Sequence, residues 1–138
     1  MLDPDQEAEI GRSGSATNRS YRDLKVWEQG MTLAELCYRS TRHFPKEELF
    51  GAVVQIRRAA ASVPANIAEG HGRESRGEFV QFLRVAQGSL KELETHVLLC
   101  QRVGLSSAED SRLILEKCEV LGKMLRALIR SLQNKGKA

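Results

Sequence analysis

Apolar residues recur every three or four positions along most of this chain, and that rhythm predicts four amphipathic helices. In the first, Asp23 is a suitable N-cap and the stripe runs Leu24, Trp27, Met31, Ala34 and Tyr38. Phe44-Pro45 closes it, because a residue before proline is pushed out of the α region. The second runs from about Lys46 to Glu69 with the stripe Leu49, Val53, Ile56, Ala60, Val63 and Ile67. Pro64 falls inside it and removes the hydrogen bond to the Ala60 carbonyl. One kinked helix is expected there, since the stripe stays in phase through Ile67; two helices broken at Pro64 are the alternative.

Gly70-His71-Gly72 interrupts the rhythm, and Ser75 with Glu78 forms a capping-box pattern for the third helix. Its stripe is Phe79, Phe82, Ala86, Ser89, Leu93, Val97 and Cys100, and Gly104 suits the C′ position. Ser106 with Glu109 opens the fourth, whose stripe is Ile114, Cys118, Leu121, Leu125, Leu128 and Leu132. Its alternating steps of four and three match left-handed bundle packing.

The connections are short, so sequential helices are expected to be antiparallel neighbours. The fold class is all-α: an antiparallel up-down-up-down four-helix bundle over residues 21–134, with a Pro-kinked second helix. Residues 1–20 show no periodicity and hold Pro4, Gly11 and Gly14, which predicts a disordered tail. Residues 135–138 form a basic C-terminal tail. Further apolar residues flank two of the stripes: Val26, Leu33 and Cys37 in the first helix, and Val80, Leu83, Leu90 and Leu98 in the third. They fit either a broad core contact or a subunit interface. Ala52 and Ala59 would let another helix approach closely.

Composition narrows the class. Aromatics are 5% of the 138 residues, so the core is aliphatic, which favours helix over sheet. Three cysteines, Cys37, Cys100 and Cys118, are too few and too scattered for a disulfide framework, and they read as apolar residues in a reducing cytosol. The acidic start, with Asp3, Asp5, Glu7 and Glu9, is unlike a signal peptide. No apolar run approaches a membrane span. The net charge is +3: residues 1–20 carry −2, residues 135–138 carry +2, and the body carries +3. A mildly basic body permits an anionic partner without demanding one.

Catalytic and metal chemistry find little support. None of His43, His71 and His96 has a glutamate three residues earlier, so the paired Glu-x-x-His ligands of a di-metal bundle are missing. Glu92 and His96, at i and i+4, fit a surface contact. No phosphate-cradling Gly-x-x-x-x-Gly-Lys loop occurs, and cysteines in apolar stripes make inert thiols. No cofactor, metal or catalytic residue is expected. The arginines carry more information. Arg57, Arg58, Arg73, Arg76 and Arg84 face three acids, Glu69, Glu74 and Glu78, and arginine suits phosphate contacts. Helical ion pairs are the plainer use of the same residues. Asn66 lies beside Pro64, where its amide would satisfy backbone groups.

A longer pattern now stands out. Arg22-Asp23-Leu24 with Val26-Trp27 leads to Phe44-Pro45-Lys46-Glu47-Glu48, then Gln55-Ile56-Arg57-Arg58-Ala59 and Ser62-Val63-Pro64-Ala65-Asn66-Ile67-Ala68-Glu69-Gly70. Arg73, Phe82-Leu83, Ala86, Gly88-Ser89-Leu90 and Glu92-Leu93-Glu94 follow. Over residues 21 to 132 the chain resembles the bacterial four-helix-bundle proteins named after intervening sequences of 23S ribosomal RNA genes. The resemblance implies a cytoplasmic bacterial protein, often a ring-like homopentamer, of undetermined biochemical role. It marks Gln55, Asn66, Glu69 and Gly70 as a polar cluster of the motif. The chain is also similar to the accessory bundle protein of diversity-generating retroelements, a more basic pentamer that binds nucleic acid and a reverse transcriptase. The function expected is therefore a non-enzymatic homo-oligomer, pentamer favoured, that binds nucleic acid, RNA favoured over DNA, through an arginine-bearing face. The alternative is a scaffold for a protein partner.

Overall fold

The computed structural model of the protein describes residues 20–135. Four α-helices carry the fold: α1 (Lys25–Thr41), α2 (Val54–His71), α3 (Arg76–Arg102) and α4 (Ala108–Lys135). Among the described residues there is no strand. A 3-10 turn, Tyr21–Asp23, precedes α1. A second, Lys46–Glu48, and a π-helical turn, Leu49–Val53, lead into α2. Apart from Ser20, the tail expected over 1–20 lies outside the described residues, as do residues 136–138; Lys135 is the last residue of α4.

Each helix packs against the next, and α1 packs against α4, which closes a four-membered ring. The contacts also fix direction. Late in α2, Gly70 meets Phe82 early in α3; earlier in α2, Ser62 meets Ser89 later in α3. Likewise Gly30 of α1 faces Pro64 of α2, whereas Thr41 at the end of α1 meets Arg57 at the start of α2. Both pairs therefore run antiparallel.

The core is aliphatic. Leu24, Leu33, Ile67, Leu83, Leu90, Leu93, Leu121 and Leu125 are among its fully buried side chains. In α2 the expected stripe is buried from Val53 onward, but Leu49 is exposed. In α4 it is buried from Ile114 to Leu128. In α1 the phase is corrected. Val26, Leu33, Ala34 and Cys37 point inward, whereas Trp27 and Met31 are half-buried and Tyr38 is exposed. At the start of α3, Val80 and Leu83 take the core positions expected of the half-buried Phe79 and Phe82. Most of the flanking apolar residues are thus core, and Leu98 alone among them is exposed.

The helix ends follow local hydrogen bonding. Ser20 caps the first 3-10 turn, and Asp23 belongs to that turn; the residue preceding α1 is Leu24. Ser75 Oγ accepts from the Glu78 backbone N–H, as the capping pattern required. At α4 the cap moves by one residue: Ser107 Oγ accepts from the Asp110 N–H, while Ser106 pairs with the Ser111 hydroxyl. Gly104 adopts φ 81°, the Leu105 N–H bonds the Cys100 carbonyl and the Gly104 N–H bonds that of Gln101. Those are the two bonds of a Schellman motif. Helix α2 runs unbroken through Pro64, and the departure from helical dihedrals in this region lies at Gly51 (φ −112°, ψ −105°).

Two glycines show how tightly the ring closes. A Cβ on Gly70 would sit 2.6 Å from Phe82 Cβ and 3.3 Å from the Phe79 carbonyl. Neither neighbour can rotate away. A Cβ on Gly88, by contrast, meets nothing within 4 Å.

The three thiols are buried. Burial pushes the Cys37 thiol up to about 12 and raises Cys118 and Cys100 as well. All three stay protonated at neutral pH, and the core accepts that neutral form. The stability this confers is complete below the ordinary thiol value of 9.0 and is lost as pH climbs toward 12. Among the described residues no helix is long and apolar enough to cross a membrane.

Two outcomes follow. Gly70→Ala gains about 1 kcal/mol of helix propensity but overpacks the α2–α3 contact at a cost of about 1–3 kcal/mol. Urea denaturation is expected to show net destabilisation for Gly70→Ala and stabilisation of about 0.5–1 kcal/mol for Gly88→Ala. Thiol labelling at pH 8 is expected to be slow for all three cysteines in the native protein and complete in urea; fast native labelling of Cys37 would contradict its burial.

Candidate nucleic-acid interface

The five arginines singled out in the sequence do not form one patch. Arg57 and Arg58 lie in the first turns of α2, and Arg73 follows its end, 16 residues from Arg57. At about 1.5 Å per residue, that is roughly 24 Å along the axis. Arg76 begins α3 and Arg84 lies two turns further on, both exposed. One group thus sits near the α1–α2 connection, and the other begins at the opposite end of the bundle.

Arg57 is held from three directions. Its Nε donates to Thr41 Oγ1 at 2.9 Å, and its Nη2 donates to the Tyr38 carbonyl at 3.2 Å. The guanidinium lies 4.8 Å from the centre of the Tyr38 ring, a cation–π contact. Thr41 is itself buried, and its hydroxyl donates to the Cys37 carbonyl at 2.8 Å. Capture by Tyr38 and Thr41 ties Arg57 to the end of α1, where Arg39 and Arg42 are the next residues in sequence after its two partners. Arg39 has only a long, exposed contact of 3.9 Å with Glu35. Arg42 and Arg58 are exposed and have no ion-pair partner among the described residues. The sequence reading missed Tyr38, Arg39, Thr41 and Arg42 as members of this group.

Other arginines fulfil the plainer expectation. Arg73 donates to Glu69 Oε1 at 2.7 Å and lies 4.9 Å from the centre of the Phe82 ring. Arg112 spans Glu109 and Glu116, both at 2.6 Å, and these carboxylates raise its already high pKa. Such guanidinia must break a contact before gripping another anion.

Of the motif's polar cluster, Asn66, Glu69 and Gly70 lie close together near the end of α2, and Gln55 stands apart at its start. Gln55 is exposed in the first turn of α2, 15 residues before Gly70, or roughly 22 Å away. Asn66 serves a helix contact. Its Nδ2 donates to the Ser62 carbonyl at 2.8 Å and to Ser62 Oγ at 2.9 Å, and Ser62 Oγ shares a 2.8 Å bond with Ser89 Oγ of α3. The amide therefore reaches the Ser62 carbonyl, not that of Ala60. Glu69 is the partner of Arg73, and Gly70 is the α2–α3 contact point.

Metal chemistry gains nothing from the geometry. Among the described residues no group of three or more His, Cys, Asp or Glu side chains is placed to hold a metal ion. Glu92 and His96 approach to 3.7 Å on a partly exposed face. His71 lies edge-on to Phe79, and burial lowers its pKa despite the opposing charge of Asp23.

Comparison with known proteins agrees with the fold. No curated protein matches the chain. It is similar to a crystal structure of a protein of unknown function from the S23 ribosomal protein family of Bacteroides thetaiotaomicron VPI-5482. The TM-score is 0.71 at 24% identity, covering 76% of this chain and 95% of that one. Residues 22–127 match the model of one family, and the chain belongs to it: the 23S rRNA-intervening sequence proteins.

Proposed function

We propose that this protein is a non-enzymatic, oligomeric nucleic-acid-binding bundle, with RNA the favoured ligand and the α1–α2 arginines its main phosphate contacts. The arrangement around Arg57 carries the reading. A guanidinium fixed in place by neutral partners, next in sequence to the exposed Arg58 and tied to the end of α1 that carries the exposed Arg42, with no carboxylate partner for any of the three among the described residues, suits a polyanion. Arg76 and Arg84, also exposed, offer a second set at the other end of the bundle. Each body carries only +3, so assembly matters. A pentamer would present +15, enough to raise local attraction for phosphates well above that of one subunit.

A scaffold for a protein partner is the second reading, and exposed apolar residues favour it. Phe50 is 87% exposed, and Leu99 and Val103 are 55% and 62% exposed. Leu99 and Val103 lie one helical turn apart, and a contiguous apolar surface built around them would suit association.

Anisotropy titrations of a structured RNA at two salt concentrations test the first reading. Binding is expected to weaken with salt, and removing Arg58 and Arg42 together is expected to reduce the logarithmic salt slope by about 2. These residues are chosen because, unlike Arg57, their side chains make no hydrogen bond or ion pair among the described residues. No binding at low salt, or an unchanged slope, would sink the assignment. Native mass spectrometry at micromolar concentration checks the assembly, with a homo-oligomer expected and a monomer counting against it.

A further inference from the structure

Between α1 and α2 lies an open groove of about 450 Å³. Its floor is apolar, made of Met31, Ala34, Ala61 and Pro64. Its rim carries Tyr38, Arg39 and Arg42. One acid, Glu35, also lines it and touches Arg39 at 3.9 Å. Tyr38 is 42% exposed even though the Arg57 guanidinium lies against its ring. The groove thus puts an aromatic ring and an apolar floor directly beside two arginines.

We infer that this groove receives an unpaired base of a single-stranded nucleic acid, stacked against Tyr38, with the adjoining phosphates on Arg39 and Arg42. This rests on the nucleic-acid reading above and names the part of the ligand that the same face selects. The chemistry is matched at both ends. A flat base is apolar on its faces, and base–aromatic stacking rewards any of the four bases. Its backbone supplies one negative charge per nucleotide, which the two guanidinia outnumbering Glu35 can hold. In a duplex both faces of each base are already covered, so a duplex can use the arginines but not the groove. The difference between single and double strand is therefore the signature of this site.

The test uses the full-length protein with two fluorescent probes: an unstructured oligouridylate containing one 2-aminopurine, and a blunt-ended duplex of equal charge without a loop. The native protein is expected to favour the single strand by about tenfold and to change 2-aminopurine emission on binding. Ala61→Leu fills the groove without altering charge. It is expected to abolish that preference while leaving duplex affinity within about twofold of native, because the arginines are untouched. Tyr38→Phe, which keeps the ring and its contact with Arg57, should retain the preference, with circular dichroism confirming the helical fold of each variant.

Equal affinity for both probes, unaffected by Ala61→Leu, would overturn the groove assignment and leave the arginine face standing. Failure to bind either probe would overturn both. If Ala61→Leu instead changes the oligomer mass and not the affinity, the groove is occupied by another copy of the chain and the inference is wrong.

Discussion

Close approach of α2 to both its neighbours is the constraint on which the arrangement rests. On one side Gly30 of α1 faces Pro64, where a Cβ would lie 3.4 Å from the proline Cβ, in ordinary van der Waals contact. On the other, the bare backbone of Gly70 accepts Phe82. Two helices packed through such small residues bring their side walls together. Polar side chains are then forced to find partners across the seam. Asn66, Ser62 and Ser89 do so between α2 and α3, and Arg57, Tyr38 and Thr41 do so between α1 and α2. The candidate site is thus a product of helix spacing as much as of charge.

The helices were legible because their apolar spacing is regular and their breaks carry proline, glycine or serine. Which apolar stripe faces inward was less legible. In α1, Trp27, Met31 and Tyr38 repeat as regularly as Val26, Leu33 and Cys37, and periodicity cannot rank two adjacent apolar stripes. The position of α2 and α4 decides it, and that is a tertiary fact. The cap of α4 shows the same limit on a smaller scale. Ser106 and Ser107 are both suitable caps, and one residue of rotation selects the second.

For the arginines, the division follows sequence distance. The Arg73–Glu69 pair is one helical turn apart and was open to prediction. The contacts of Arg57 with Thr41 and Tyr38 cross 16 and 19 residues, through an irregular connection whose geometry at Gly51 no local rule anticipates. The same blindness hid Arg39 and Arg42, which look like ordinary surface charges until α2 is laid beside them. Sorting arginines by whether a carboxylate already holds them recovers information that a net charge of +3 conceals.

The tethering of Arg57 has one more consequence, for the entropy of binding. A free surface arginine samples many rotamers, and immobilising such a side chain on a ligand costs about 0.5–1.5 kcal/mol. Folding has already restricted Arg57 through two hydrogen bonds and an aromatic face. An anion arriving there meets a side chain with little motion left to lose. If the proposed binding holds, one pre-ordered guanidinium would give a flexible polyanion a fixed point of attachment, and its location would set the register of the remaining contacts.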